Sequence, residues 1–228
     1  MFQNNLLMGA SAATSGTSLV SVGNSALYDG ANDESLSLAA FGSTTDRQKW
    51  TWSSWYYFNI QDANQTIFLA AVDSSNYTQC LINTSNKLQF GLQLSGGSVG
   101  LLYVDSLFRD IGWYHIVISV DTTQDVASER VIFYINGKVP DSITTTTAVT
   151  ASTSTMMNYS SASLYLGDNN LAADQNGYYY ASETTLIDGQ QLAPTSFGEF
   201  DSTGLYWTPL SSATIKALTF GDNGFYLD

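Results

Sequence analysis

The feature of this sequence that most constrains its fold is a hydrophobic period of two. In KLQFGLQL, residues 87–94, the apolar side chains of Leu88, Phe90, Leu92 and Leu94 alternate with polar residues and glycine. Successive side chains of a β-strand point to opposite faces, so this segment is predicted to be a strand with one buried face. No stretch of ten or more residues has a convincing helical period, which indicates an all-β protein.

Further segments along the chain have the length and the residue types of strands. They are WTWSSWYYFNI (50–60), IFLAAV (67–72), YTQCLIN (77–83), VGLLYVD (99–105), WYHIVISV (113–120), RVIFYI (130–135), SLYLG (163–167) and YYYASETTLI (178–187). Many short strands separated by turn sequences predict an antiparallel β-sandwich.

Two short segments are predicted to form turns of defined geometry. INGK at 135–138 places Asn136 and Gly137 between two strand segments, and both residues accept the positive φ of a hairpin turn. APTSFGEF at 193–200 is the best helical turn, because Ser196 and Glu199 have the spacing of a capping box. Gly198 and the short length predict a single turn only.

The 228 residues are predicted to form one sandwich domain with a segment on either side. Residues 1–22 are small and polar and are interpreted as an N-terminal arm. Residues 23–190 are assigned to the sandwich. Residues 191–228 are expected to pack back on the sandwich or on a neighbouring subunit.

The charge of the chain excludes two classes of partner. Twenty acidic and seven basic residues give a net charge of −13, whereas nucleic-acid binding requires Lys and Arg at the phosphates. Docking on anionic lipid is disfavoured for the same reason, and no apolar stretch is long enough to span a membrane. The one cysteine, Cys80, rules out an intrachain disulfide and is expected to pack as a small apolar side chain.

A series of motifs resembles a known family. In chain order they are NNLLMGA, DRQKWTWSSW, FRDIGWYHIVISVDTTQDVASERVIFYINGK, YASETTLIDGQQLAPTSFGEFD, YWTPL and GDNGFYLD. The chain is similar to the laminin-G-like, concanavalin A-like modules of virion and tail proteins of marine tailed phages. It departs from them at Tyr178, Tyr179 and Tyr180, where the family has a shorter, Gly-containing entry to the strand. Because the chain stops at Asp228, a stand-alone subunit is expected.

The resemblance implies a concanavalin A-like jelly-roll sandwich of two antiparallel sheets. It also implies a non-enzymatic virion structural protein on the exterior of the phage particle, as a tail-fibre or spike subunit or as a head decoration subunit. Its lectin-like module would serve attachment to host surface glycans. The expected partners are other virion subunits, further copies of the chain in a homo-oligomer, and host glycans. A trimer is the expected oligomer. Two alternatives stay open, a receptor-recognition lectin and a glycan depolymerase.

Neither the histidine nor the acids of the chain form a recognisable catalytic pattern. His115, the one histidine, has no GxSxG elbow to pair with and is predicted to be a structural, hydrogen-bonded side chain. Glycosidases on this fold need acids that face each other across one cleft. Glu199 and Asp201 begin such a pattern, but the third acid is missing, so no enzymatic activity is expected.

Two groups of residues are candidates for binding. The loop GDNNLAADQNG, residues 167–177, supplies Asp168, Asn170, Asp174 and Asn176 as oxygen donors. Laminin-G-like relatives can hold calcium at a loop rim, so Ca²⁺ is one interpretation of this loop and a polar turn is the other; no other cofactor is expected. Tyr178, Tyr179, Tyr180 and Trp207 are the candidate contacts for a glycan or a partner. In the tyrosine run at least one side chain must point away from the core, and subunit contact is favoured there over sugar binding.

Overall fold

The computed structural model describes residues 24–30, 35–58, 62–108, 110, 112–172 and 175–228. The strands of this part of the chain are β1 Ala26–Asp29, β2 Leu36–Leu38, β3 Lys49–Phe58, β4 Gln65–Asp73, β5 Asn76–Ile82, β6 Lys87–Leu94, β7 Gly97–Leu107, β8 Trp113–Asp121, β9 Val131–Ile135, β10 Ile143–Thr147, β11 Ser163–Leu166, β12 Tyr178–Asp188, β13 Gly198–Phe200, β14 Trp207–Pro209 and β15 Phe225–Leu227. One α-helix, α1 Ser212–Lys216, and the 3₁₀ turns Ala127–Glu129 and Pro194–Ser196 complete the elements. None of these helical segments is long and apolar enough to cross a membrane.

The strands form two antiparallel sheets that pack face to face. The six-stranded sheet has the order β1-β12-β3-β8-β9, and β15 lies beside β12. The seven-stranded sheet has the order β10-β7-β6-β5-β4-β11-β2, and β13 and β14 form a separate ribbon. This arrangement confirms the predicted all-β concanavalin A-like sandwich.

The core between the two sheets consists of the faces that the period of two predicted. Trp50 and Trp52 of β3 are buried there together with Phe68 and Phe90 of the seven-stranded sheet. The ring centroids of Trp50 and Phe68 are 5.9 Å apart in an edge-on arrangement, which aromatic pairs prefer. Cys80 is buried in the same cluster, where desolvation raises the pKa of its thiol. Its predicted role as a small apolar side chain is confirmed.

The hairpin prediction at Asn136-Gly137 is correct for the turn and wrong for the strands. Both residues have positive φ, 48° and 77°, but pairing across the turn ends at one bridge between Ile135 and Lys138. The next strand, β10, pairs with β7 in the opposite sheet. Pro140 has no N–H to donate to a continuing ladder, so the chain leaves the six-stranded sheet at this point.

The single helical turn predicted within residues 193–200 does form, but Ser196 and Glu199 do not make a capping box. Pro194–Ser196 forms a single 3₁₀ turn, and Glu199 lies in β13, paired with Thr208 of β14. Strand pairing with β14 therefore overrides the local helical signal. The helix that does form, α1, begins after Ser211, which caps it by accepting a hydrogen bond from the backbone N–H of Thr214.

Residues 192–220 lie against the outer face of the six-stranded sheet, and β15 then joins that sheet beside β12. Phe197 packs there on Val117 of β8 and Ile187 of β12, forming a second, smaller apolar cluster. The hydroxyl of Thr51 donates to the carbonyl of Gln190 at 2.7 Å and accepts from a backbone N–H of this segment at 2.8 Å. The six-stranded sheet is therefore buried on both faces over this region. Residues 1–22, the predicted arm, lie outside the described residues.

Substitutions on the two faces of β6 test the assignment of the core. Phe90→Ala is expected to lower the free energy of unfolding by about 3–5 kcal/mol, because a buried aromatic ring is replaced by a cavity. Gln89→Ala, one residue away on the outer face, is expected to change it by less than about 0.5 kcal/mol. Urea unfolding followed by tryptophan fluorescence measures both. Equal losses in the two variants would mean that β6 is not buried on one side.

Candidate functional site

His115 lies on the outer face of β8, beneath the C-terminal segment, and is 1% exposed. Its ring is stacked between two tryptophans. The ring centroid of Trp55 is 4.8 Å away at an interplanar angle of 22°, and that of Trp207 is 6.0 Å away at 23°. The imidazole is thus enclosed between aromatic faces and does not line an open cleft.

The hydrogen bonds of His115 fix its tautomer. Nε1 of Trp207 donates to Nδ1 of His115 at 2.9 Å, and an indole N–H can only donate. The imidazole proton must then be on Nε2, which donates to Oγ of Ser53 at 2.9 Å. Burial lowers the pKa of His115 to about 3, so the ring is neutral at physiological pH.

This arrangement differs from a catalytic triad in two respects. A general base must take the proton of the serine hydroxyl, whereas Nε2 of His115 already carries a proton directed at Ser53. The group on the other ring nitrogen is the indole of Trp207 rather than a carboxylate. The structural, hydrogen-bonded histidine that the sequence predicts is therefore confirmed.

Trp207 reaches His115 because two glycines leave room for its ring. A Cβ at Gly137 would lie 2.3 Å from Cε3 of Trp207, and one at Gly198 would lie 2.7 Å from Cε2. Trp207 is half-buried in β14. Its predicted role as a glycan or partner contact remains a prediction, and the structure shows its N–H group already engaged.

The two acids considered for hydrolysis lie on the β13–β14 ribbon. Glu199 is exposed on β13. The carboxylate of Asp201 accepts hydrogen bonds from the backbone N–H groups of Leu205 and Tyr206 at 3.0 and 3.1 Å. These bonds, that of Tyr206 first, lower the pKa of Asp201. Its carboxylate closes the turn between the two ribbon strands.

The three tyrosines at the start of β12 are divided between the two faces of the sheet. Tyr179 is buried in the core, and its hydroxyl donates to the carbonyl of Thr66 at 2.8 Å. Tyr178 is half-buried, and Tyr180 is 37% exposed. The prediction that at least one of them points away from the core is confirmed. A contact role for the run therefore concerns Tyr180 above all.

The polar loop at 167–177 is only partly described, because Asp174 lies outside the described residues. Asn170 donates from Nδ2 to the hydroxyl of Tyr165 at 3.1 Å, and Asn176 donates to the carbonyl of Gly30 at 3.3 Å. Asp168 also interacts with another group. In the part of the chain that the structure describes, no three His, Cys, Asp or Glu side chains are grouped for a metal. The Ca²⁺ interpretation stays a prediction.

A surface that the sequence analysis did not single out lies on the outer face of the seven-stranded sheet. We call it the Tyr/Gln face, and its residues are Tyr77, Gln79, Gln89, Gly91, Gln93 and Tyr103. Strand register sets Tyr77 opposite Gln93 and Gln89 opposite Tyr103. Because the alternate residues, such as Phe90, are buried in the core, these side chains point outward.

Part of the Tyr/Gln face is held in place and part of it is free. The hydroxyl of Tyr77 donates to Oε1 of Gln93 at 3.1 Å, and Gln79 donates to Oε1 of Gln175 in the polar loop at 2.9 Å. Among the described residues, by contrast, neither the amide of Gln89 nor the hydroxyl of Tyr103 has a hydrogen-bond partner.

Gly91 lies in the floor of the face, between Gln79 and Leu101. A Cβ at Gly91 would meet only Cε2 of Tyr77, at 3.9 Å. The sheet therefore has open space at this point, bordered by amides, phenol rings and the side chain of Leu101. The sequence signal was present in the polar half of KLQFGLQL, but the sequence could not show that tyrosines from β5 and β7 flank it.

A family model described as the concanavalin A-like lectin/glucanases superfamily matches residues 29–183 of the chain. The match covers the strands from β2 to β11 and most of β12. The segment that covers His115, residues 191–228, lies beyond it. The comparison with curated proteins finds no match.

Two solved structures are similar in fold. Domain 4 of AbnA, a GH43 extracellular arabinanase from Geobacillus stearothermophilus in complex with arabinotriose, has 19% sequence identity and a TM-score of 0.53, with 79% of each chain covered. Domains LG4-5 of the mouse laminin α1 chain have 15% identity and a TM-score of 0.52. That alignment covers 83% of this chain and 48% of the laminin fragment, about half of its length.

The pH dependence of stability tests the state of His115. Its folded pKa of about 3 lies below the ordinary value of 6.5. Between these two values the unfolded chain binds a proton that the folded chain does not, so the free energy of unfolding decreases as the pH falls from 6.5 towards 3. The loss is about 1.4 kcal/mol per pH unit. His115→Gln keeps an acceptor for Trp207 and a donor for Ser53 but cannot titrate.

Urea unfolding at pH 7 and pH 4.5 measures this difference. Wild type is expected to lose about 2–3 kcal/mol more than His115→Gln between the two pH values, since all other titrating groups are common to both proteins. Parallel losses would mean that the imidazole titrates normally in the folded chain.

Proposed function

The chain belongs to the concanavalin A-like lectin/glucanase superfamily, and we propose that it is a glycan-binding module without enzymatic activity. The glycan site is assigned to the Tyr/Gln face of the seven-stranded sheet. Its role is adhesion to a carbohydrate surface rather than turnover of the carbohydrate.

The observation that carries this proposal is the pair formed by Gln89 and Tyr103 beside Gly91. Sugar recognition needs a flat aromatic surface for the C–H face of the ring and polar groups that donate to and accept from its hydroxyls. Tyr103 offers the ring, Gln89 offers both a donor and an acceptor, and Gly91 leaves space for the ligand. The bond from Tyr77 to Gln93 orients a second ring and a second amide next to them.

The charge of the face and of the chain favours a neutral glycan. The amides and phenols of the Tyr/Gln face carry no charge at neutral pH. At its end, Lys87 is already paired with Asp105, with 2.8 Å between Nζ and Oδ1. The net charge of −13 opposes the approach of an acidic sugar. A neutral pentose or hexose oligosaccharide is the proposed ligand class, and arabinotriose, the ligand of the arabinanase domain, is a suitable first probe.

The absence of catalysis is supported by the positions of the candidate groups. His115 is neutral, buried and already donating to Ser53. Asp201 is occupied with the turn of its own ribbon. His115 is on β8 of the six-stranded sheet, and the ribbon that carries Asp201 packs on it through Trp207. The Tyr/Gln face belongs to the opposite sheet. Turnover of the bound glycan would therefore contradict the proposal, and depolymerase activity remains the competing function.

We further propose that the module is displayed on the exterior of a phage particle. The resemblance of its motifs to laminin-G-like modules of marine phage virion proteins supports this location. The end strands β9 and β10 leave open sheet edges among the described residues, and such edges accept strands from neighbouring subunits. The proposed partners are other virion subunits, further copies of the chain and host glycans. A cyclic trimer is the proposed homo-oligomer.

Saccharide binding by the full chain tests the glycan site. Neutral oligosaccharides on an array, arabinotriose among them, are expected to bind more tightly than sialylated or uronic-acid glycans. Tyr103→Ala and Gln89→Ala are each expected to weaken binding about tenfold in titration calorimetry, through loss of an aromatic contact or a hydrogen bond.

Tyr180→Ala is the matched control, because it removes an exposed tyrosine from the outer face of the other sheet. It is expected to leave the affinity unchanged. Titration with and without Ca²⁺ shows whether the loop containing Asp168 and Asn170 contributes. Binding that depends on Tyr180 and not on Tyr103 would contradict the Tyr/Gln face and place the site on the tyrosine run.

Electron microscopy of intact particles tests the proposed location. Gold-labelled antibodies against the chain are expected to label the tail or the head surface of particles that have not been disrupted. Labelling that appears only after disruption, or that never appears on particles, would contradict an exterior virion subunit. Sedimentation of the purified chain over a range of concentrations tests the homo-oligomer separately.

A further inference from the structure

A row of large side chains crosses the outer face of the six-stranded sheet at the end where β12 begins. Strand register sets Leu27 beside Tyr180, Tyr180 beside Tyr57, and Tyr57 beside Trp113. The ring centroid of Tyr57 lies 6.3 Å from that of Tyr180 and 5.9 Å from that of Trp113. We call these four residues the aromatic strip.

The aromatic strip continues a face that the protein itself covers elsewhere. In the next row along the strands, His115 lies beneath Trp207 of the C-terminal segment. In the strip itself, Leu27 is 44% exposed and Tyr180 is 37% exposed. A contiguous apolar patch of this kind on a soluble protein marks a contact site.

An unpaired donor lies at the border of the strip. Trp55 precedes Tyr57 on the same face of β3 and is 2% exposed, yet its Nε1 has no hydrogen-bond partner among the described residues. Its ring is stacked on His115. Buried N–H groups are nearly always paired. A carbonyl group from outside the described residues is therefore expected to accept the N–H of Trp55.

The described chain begins at this place. The hydroxyl of Ser182 donates to the carbonyl of Asn24, and Ser182 is the register partner of Trp55. Residues 1–23 are therefore attached beside both the unpaired indole and the strip. This segment has no charged side chain. Its larger apolar residues are Phe2, Leu6, Leu7, Met8, Leu19, Val20 and Val22.

We propose that residues 1–23 bind across the aromatic strip of their own chain, with one backbone carbonyl accepting the N–H of Trp55. The strip spans four strands, or about 14 Å at a strand spacing of about 4.8 Å. About five extended residues cover that distance, and residues 18–23, directly before Asn24, are enough to do so. A second copy is a poorer occupant, because the bond between Ser182 and Asn24 already holds the start of this chain's own segment beside the strip. The proposal does not depend on glycan binding.

Photocrosslinking of the full chain tests this occupant. Tyr180 is replaced by the photoreactive residue benzoylphenylalanine, and the irradiated protein is digested and analysed by mass spectrometry. Crosslinks to peptides within residues 1–23 are expected in protein that remains monomeric on a denaturing gel. The same replacement at Tyr103, a half-buried tyrosine on the opposite sheet, is the control and is expected to give no such crosslink.

Three outcomes of this experiment overturn the proposal. A crosslink from position 180 to the same chain outside residues 1–23 shows that another segment covers the strip. A covalent dimer shows that a second copy, or its N-terminal segment, does so. The absence of any protein crosslink shows that the strip is open to solvent.

Hydrogen exchange of the indole N–H groups tests the role of Trp55 in the intact chain. Leu19→Asp together with Val22→Asp introduces charges into the segment and changes no residue of the described fold. This variant is expected to speed exchange at Nε1 of Trp55 about tenfold, as measured by nuclear magnetic resonance. Trp50, whose Nε1 donates to Thr155 in the core at 3.0 Å, is the internal control and is expected to be unchanged. Equal rates at Trp55 in wild type and variant would contradict the proposed carbonyl partner.

Discussion

The register of β12, β3 and β8 is the constraint on which the other features of this chain depend. It directs the side chain of Trp52 into the core between the two sheets. On the outer face it sets His115 directly opposite Trp55. Both faces of these strands carry large aromatic side chains, so a shift of one residue would exchange two different sets of contacts. The C-terminal segment then completes the outer set by placing Phe197 and Trp207 over it.

The two sheets consequently have different outer surfaces. The six-stranded sheet carries aromatic and small polar side chains on the outside, and the C-terminal segment covers the part around His115, which stays neutral and enclosed. The seven-stranded sheet has amides and phenols on the outside, with Gln89 and Tyr103 lacking partners among the described residues. A ligand with many hydroxyls fits the second surface, and an apolar segment fits the strip left on the first.

Much of the fold could be predicted from the period of two, because alternation shows which face of a strand is buried. KLQFGLQL is β6 with the predicted bounds. His115, which is held in one tautomer by its two hydrogen bonds, has the structural role that the sequence predicts. The pairing of β10 with β7, by contrast, could not be read from the sequence, since a local Asn-Gly signal fixes a turn but not the sheet that the next strand joins. The Tyr/Gln face was missed because its residues come from three strands and meet only through register.

The most direct measurement of ligand location is hydrogen–deuterium exchange of the full chain with and without the neutral oligosaccharide that binds best. If the Tyr/Gln face is the glycan site, backbone protection on binding will be concentrated in residues 76–107, which form β5, β6 and β7. Residues 113–121 and 178–188 will exchange as they do in the free protein. Protection confined to those two segments, or to the β13–β14 ribbon, would contradict a glycan site on the seven-stranded sheet.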